Sequence, residues 1–271
     1  MTLSYASSEQ NSTIPIVRLA QDIWQGNRLL GISIVLMAAG MVLCVALMPF
    51  DARLVNGVST WDKPAKFLLS LGVQFATVSW ALARLPPEQR QAKASTFAVW
   101  AMVIAAWAEL AYIIFRAARG EASHFNDSTL FAQVAFGLMG VGALTLTGSA
   151  GLIGWRVWRA RGSNLMRMAA GLGLMLGMAL GTVAGVVMSV HGSHWVGGSV
   201  NDATGIGFFA WSTTGGDLRV AHFIGLHTAQ LLPVVAVSGS YRLVTLVAAG
   251  ASLAVVAAMA WAAAGHPIFL S

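Results

Sequence analysis

LLGISIVLMAAGMVLCVALMPF, from Leu29 to Phe50, contains no charged side chain. A bilayer core asks a helix for roughly 20 mostly apolar residues, so this run is long enough to cross one. It is too long for the core of a signal peptide, and no small-residue cleavage site follows it. It therefore reads as a retained first helix. Six further stretches have the same character, at about 67–83, 97–115, 130–155, 165–190, 220–238 and 243–265. The second is the shortest, and the sixth carries the most polar side chains. The composition agrees: 57% of the 271 residues are hydrophobic and 10% are charged, against about 25% charged in soluble domains. That balance excludes a soluble enzyme, a disordered chain and a nucleic-acid reader. The single cysteine, Cys44, excludes a disulfide framework. The expected fold is an all-α polytopic membrane protein of seven transmembrane helices. Residues 1–28 form a cytoplasmic N-terminal segment, and 29–266 form one membrane domain with a long outer loop at 191–219.

The Lys and Arg residues set the orientation. Ten fall on one side, in the N-terminal segment, in the loops around 84–93 and 156–167, and at Arg242. Six fall on the other: Arg53, Lys63, Lys66, Arg116, Arg119 and Arg219. The N-terminus is thus expected inside and the C-terminus outside, and a bacterial inner membrane is the simplest home. The formal charge of +6 follows from this topology and speaks for no nucleic-acid partner.

The outer half holds the candidate chemistry. Its loops contain Asp62, Lys63 and Lys66, then His124 and Asn126, then His191 and His194, and finally Asp217 and Arg219. All six histidines lie in or near this half. At a rise of 1.5 Å per residue, Gln74, Glu109, His227 and Gln230 sit roughly 10–17 Å below the outer boundary. Lys66, Ser70, Gln74 and Thr77 recur at helical spacing, as do Glu109, Tyr112 and Arg116. Ionisable groups in hydrocarbon face a partner or water. Together they predict an outward-open polar pocket between the second, third and sixth spans, covered by the glycine- and aromatic-rich loop 191–219 acting as a lid.

Within that pocket, Glu109 is the expected acid–base group, with Asp62 or Asp217 as proton acceptor. Asp217 also suits the N-cap of the sixth span. Lys63, Lys66, Gln74, Arg116, Asn126, Arg219 and Gln230 would contact a small anionic or amphipathic substrate. Histidine is the commonest metal ligand, so His124 and His227 with Glu109 are the expected first ligands of iron, zinc or copper, or the histidines of a haem b. His191, His194 and His222 are further candidates. His222 and His227 are five apart and do not share a helix face, and the chain has no His-x-x-x-His.

Three functional classes stand open. A metal- or haem-dependent membrane enzyme, oxidoreductase or hydrolase, fits the mixture of acid, base and imidazole on one side. A proton-coupled transporter fits a repeat: Lys63, Ala65, Phe67 and Gln74 match Arg219, Ala221, Phe223 and Gln230 at an offset of 156. Trp107, Ala108 and Phe115 match Trp261, Ala262 and Phe269 at 154, giving a 3+1+3 pattern of parallel repeats. An assembly subunit, docking a membrane partner or a second copy through the outer loops, is the third.

Overall fold

The computed structural model describes residues 15–160 and 164–268. Residues 1–14 of the N-terminal segment, and Arg161 of the basic loop, lie outside that range. Among the described residues the chain is all-α apart from two short ribbons. Nine α-helices run in order: α1 (Pro15–Gly26), α2 (Arg28–Leu47), α3 (Asp62–Leu82), α4 (Pro87–Arg90), α5 (Lys93–Ala118), α6 (Leu130–Arg159), α7 (Leu165–His191), α8 (Arg219–Ala236) and α9 (Tyr241–Ala263). Six of them, α2, α3, α5, α6, α7 and α9, are long and apolar enough to cross a membrane. The protein is a polytopic membrane protein. The seventh expected span, α8, is outside that set. It has 18 residues, and Arg219, His222, His227 and Gln230 dilute its apolar character.

The second span starts earlier than hydropathy implies. Asp62 stands in the first turn of α3, where a carboxylate complements the helix dipole, and Pro64 suits the same turn. Asp62 and Lys66 pair one turn apart at 2.6 Å. The N-terminal segment before the first span contains α1. This helix is docked on α3 by Ser79 Oγ, which donates to the carbonyl of Ile23 at 2.5 Å, and by an Arg84–Asp22 pair at 3.0 Å.

The loops at one end of the bundle are built, not slack. Asn56 and Gly57, both at positive φ, make the two-residue turn that joins β1 (Leu54–Val55) to β2 (Val58–Ser59). In the long loop, β3 (Trp195–Val196) pairs antiparallel with β4 (Gly216–Asp217), with Trp195 opposite Asp217. The amide of Asp202 donates to the carbonyl of Asn56 at 2.9 Å and ties the two loops together.

Helix α3 is the hub, packed against α1, α2, α5, α6 and α7. Phe75, Leu82, Met37 and Met102 are fully buried around it. The closest seam is α7 against α8. Gly173, Gly177 and Gly181 recur every four residues along α7 and let the α8 backbone approach. A Cβ on Gly177 would lie 3.0 Å from the amide nitrogen of Ala229, and one on Gly225 would lie 2.9 Å from that of Gly181. In lipid such close packing, rather than exclusion of water, drives helix association. On α9 the buried face is Val244, Ala248, Ala251, Val255 and Ala262, while its other side is open. Leu246, Leu253 and Val256 on it are exposed, and Gly250 meets nothing within 4 Å.

Candidate functional site

Arg219, the first residue of α8, organises the ribbon end. Its Nε donates to Asp217 Oδ1 at 2.9 Å. Its Nη2 donates to Asp217 Oδ2 at 2.6 Å, to Asp202 Oδ1 at 2.9 Å and to the carbonyl of Ala210 at 2.7 Å. Ala210 holds a left-handed backbone (φ 53°), which turns the aromatic segment Phe208–Phe209–Trp211 back on itself. Asp217 accepts the amides of Ser212 and Arg219, both at 3.0 Å. It therefore supports the start of α8 and also anchors the guanidinium. This clamp ties loop 191–219 down with one half-buried cation and two buried carboxylates.

Beside this loop, loop 119–129 turns His124 inward. His124 Nε2 lies 3.9 Å from Glu109 Oε1, and its Nδ1 lies 3.1 Å from Ser123 Oγ. Phe67, Phe136 and Phe125 wall the ring at centroid distances of 5.6, 6.0 and 6.4 Å. Glu109 is 9% exposed. Lys63, 5.8 Å above the Phe67 ring, interacts electrostatically with Glu109, Asp202 and Arg219. His194 stacks on Trp195 at 3.8 Å, and its Nε2 lies 3.8 Å from Asp202 Oδ1. Glu109–His124 and His194–Asp202–Arg219–Asp217 thus form two polar groups, with the Phe125 ring between the two imidazoles.

The electrostatics of the loop groups follow from burial. Desolvation first, then the charge of Lys63 and the nearby His194, push His124 well below the ordinary histidine value. Desolvation also lowers His194, although Asp202 opposes it. Both imidazoles are neutral at pH 7. Burial would raise the Asp202 carboxyl, but His194 and Arg219 outweigh it and hold the group below its usual range.

Several expected residues sit elsewhere. Gln74, Glu109 and His227 do not share one crevice. Gln74 Nε2 turns to Met178 Sδ on α7 at 3.6 Å. His227 Nδ1 is 3.1 Å from Gln230 Oε1, and Gln230 Nε2 donates to Thr77 Oγ1 on α3 at 2.8 Å. The reason is azimuth: α8 lies along α7, so its polar face meets the middle of α3, while Glu109 meets a loop. Ser70 is exposed, so the stripe on α3 is not continuous. The two glutamines paired by the offset of 156 have different partners.

The expected metal ligands do not assemble. His124 lies beside Glu109, but His227 is held by Gln230. His191 Nε2 lies 3.1 Å from the carbonyl of Trp195, and His222 Nδ1 lies 2.8 Å from the carbonyl of Gly181 across the α7–α8 seam. Among the described residues no three His, Cys, Asp or Glu side chains lie together as a metal ion requires. Arg116 bonds Glu121 at 3.0 Å and the Ala122 carbonyl at 3.3 Å, and Asn126 bonds the same carbonyl at 2.9 Å. These two residues shape the loop that carries His124. Lys66 pairs with Asp62 and lies 5.5 Å over the lid's Phe208.

Asp202 and Trp195 are the residues that periodicity misses. The available signal was that Asp202 and Asp217 are the only acids in loop 191–219. No family model matches the chain, and no curated protein and no solved structure is similar to it.

Proposed function

We propose that this protein is a seven-span protein of a bacterial inner membrane, N-terminus inside and C-terminus outside. In this reading α8 is the remaining span, shielded from lipid by α7 and α9. The ribbon end then faces outward and houses a lidded acid–base site acting on a small substrate. The observation that carries this reading is the Glu109–His124 pair, a carboxylate on a membrane helix facing a neutral imidazole at 3.9 Å beneath a clamped lid. An intramembrane ionisable group with a titratable partner is a functional site by default. A neutral imidazole can accept a proton from substrate, and the carboxylate stabilises the imidazolium that results. Lys63 balances the charge of Glu109 between turnovers. The lid excludes water, which strengthens each of these interactions. The class this fits best is a membrane enzyme using general acid–base chemistry.

One observation favours a second reading. The chain His227–Gln230–Thr77 carries hydrogen bonds between α8 and α3 below the site, as a proton-coupled transporter would need.

Infrared difference spectra of the reconstituted protein, recorded across a pH titration, test the acid–base site. A carboxyl band that disappears in Glu109→Gln, and whose titration midpoint moves in His124→Gln, is expected. A Glu109 band indifferent to His124→Gln would overturn the reading. Proton uptake into liposomes coupled to a solute, lost in both Glu109→Gln and Gln230→Leu, would favour the transporter.

A further inference from the structure

We infer that the lidded site takes a neutral amphipath, with an acceptor oxygen of carbonyl type on His194 and Trp195 and a short apolar tail in the cleft between α8 and α9. This inference rests on the acid–base reading above and names the substrate class for it.

Three independent observations converge on it. First, His194 Nε2 and Trp195 Nε1 are buried without a hydrogen-bond partner, in residues only 8% and 9% exposed. Buried polar groups in folded proteins are nearly always paired, so two adjacent orphans mark a place where something else bonds. Indole nitrogen only donates, so what it meets must be an acceptor.

Second, the surrounding charge does not favour an anion. Arg219 is already engaged by two carboxylates, Asp202 and Asp217. Lys63 feels two opposite charges, Glu109 and Asp202, against the like charge of Arg219. An incoming carboxylate or phosphate would meet Asp202, 3.8 Å from His194 Nε2, beside an Arg219 already paired, whereas a carbonyl oxygen brings no net charge to that carboxylate. Of the two substrate kinds that the sequence admits, the amphipathic one fits and the anionic one does not.

Third, an apolar cleft adjoins the same ribbon. Val220 on α8, Ala258 and Trp261 on α9, and Ile268 beyond it line a cavity of about 280 Å³, with Asp217 and His266 as its polar residues. Asp217 is the strand partner of Trp195, so the cleft adjoins the ribbon whose other strand carries the orphan indole nitrogen. The volume lies just under the roughly 300–1,000 Å³ of ordinary small-molecule sites, which suits a short chain rather than a whole lipid.

Calorimetric titration of the full chain in nanodiscs with monobutyrin, a water-soluble neutral ester, and with butyrate tests this. Monobutyrin is expected to bind, and butyrate to bind at least about tenfold more weakly, the difference one lost or mismatched charge makes. Trp195→Phe keeps the ring and removes the N–H, and should weaken monobutyrin about fivefold, as loss of one neutral hydrogen bond does. Ala258→Phe fills the cleft from outside the lid and should weaken it at least as much. Equal affinity for the two ligands, no binding of monobutyrin, or unchanged affinity in both variants would overturn the inference. Infrared coupling of Glu109 to His124 is read on the same samples. If that coupling persists while ester binding fails, the substrate class is wrong and the acid–base site stands. If the coupling is absent, the site itself is wrong.

Discussion

Arg219 at the ribbon end and Arg156 and Arg90 at the other are held in opposite ways. At the ribbon end, Arg219 is gripped by Asp202 and Asp217, both of them buried. At the other end, Arg156 donates to Ser95 Oγ at 2.9 Å and to the carbonyl of Gln89 at 3.1 Å. Arg90 donates to the carbonyls of Gln25, Ala83 and Leu85. Those two guanidinium groups meet neutral oxygen, and the one ion pair described there, Arg84–Asp22, is partly exposed. The ribbon end instead brings opposite charges together away from water, which is costly unless each is paired. A fold that needed only an anchor had no reason to build the second arrangement. In the proposed reading, the ribbon end is the functional end.

Breaking the clamp should have the largest effect. Arg219→Met leaves two buried carboxylates unpaired, and removal of one side of a buried pair costs about 3–5 kcal/mol. A large fall in thermal midpoint is expected, with protease cleavage appearing within 195–217. Arg156→Met, which removes two hydrogen bonds to neutral acceptors, should cost no more than about 1–3 kcal/mol. Equal losses in the two variants would erase the contrast.

The α7–α8 seam ranks next. Gly177→Val places side-chain atoms against the α8 backbone, where even a Cβ would lie 3.0 Å from Ala229 N. Overpacking of this kind costs about 1–3 kcal/mol. Gly250→Val on α9 meets open space and should be close to neutral. The pair of thermal midpoints checks whether α8 is held by close backbone approach.

The ends should also answer pH differently. His124 and His194 are buried neutral, so their folded pKa values lie below the unfolded value of about 6.5. The unfolded or lid-open state therefore binds more protons just below that value. Lid stability should fall as pH drops below about 6.5 and continue to fall until the folded pKa values are passed. Hydrogen exchange at 195–217 should speed up on acidification, while exchange at 83–92, a segment without histidine, should not. His194→Gln should flatten the response.

The smallest effect is expected at the surface. The Arg84–Asp22 pair, with side chains 23% and 40% exposed, should be worth about 0–1 kcal/mol and should weaken with salt.

Much of this contrast was legible in the sequence, and the rest was hidden for identifiable reasons. Runs such as Leu29–Phe50 reveal the spans because hydrocarbon demands length and apolarity together. Asn56-Gly57 announces a hairpin by its need for positive φ at both positions, although the alternation around it is too short to catch the eye. Equal depth misled: Gln74, Glu109 and His227 lie at similar heights, but a one-dimensional count carries no azimuth, and each turns to a different neighbour. Glu109 was found because a carboxylate in an apolar run is conspicuous. Asp202 is hidden, since a loop residue has no periodicity to betray its partner. Arg219 was legible as a basic residue at a helix start, but its closure of the lid depends on Ala210 and Asp202 folding back to it.

A double-mutant cycle on Glu109→Gln and His124→Gln, read as thermal stability at pH 7 in nanodiscs, tests the central claim most directly. Side chains that act on one another should give single losses that fail to add, with a coupling of about 0.5 kcal/mol or more. Additive losses would mean that the carboxylate and the imidazole are strangers beneath the lid.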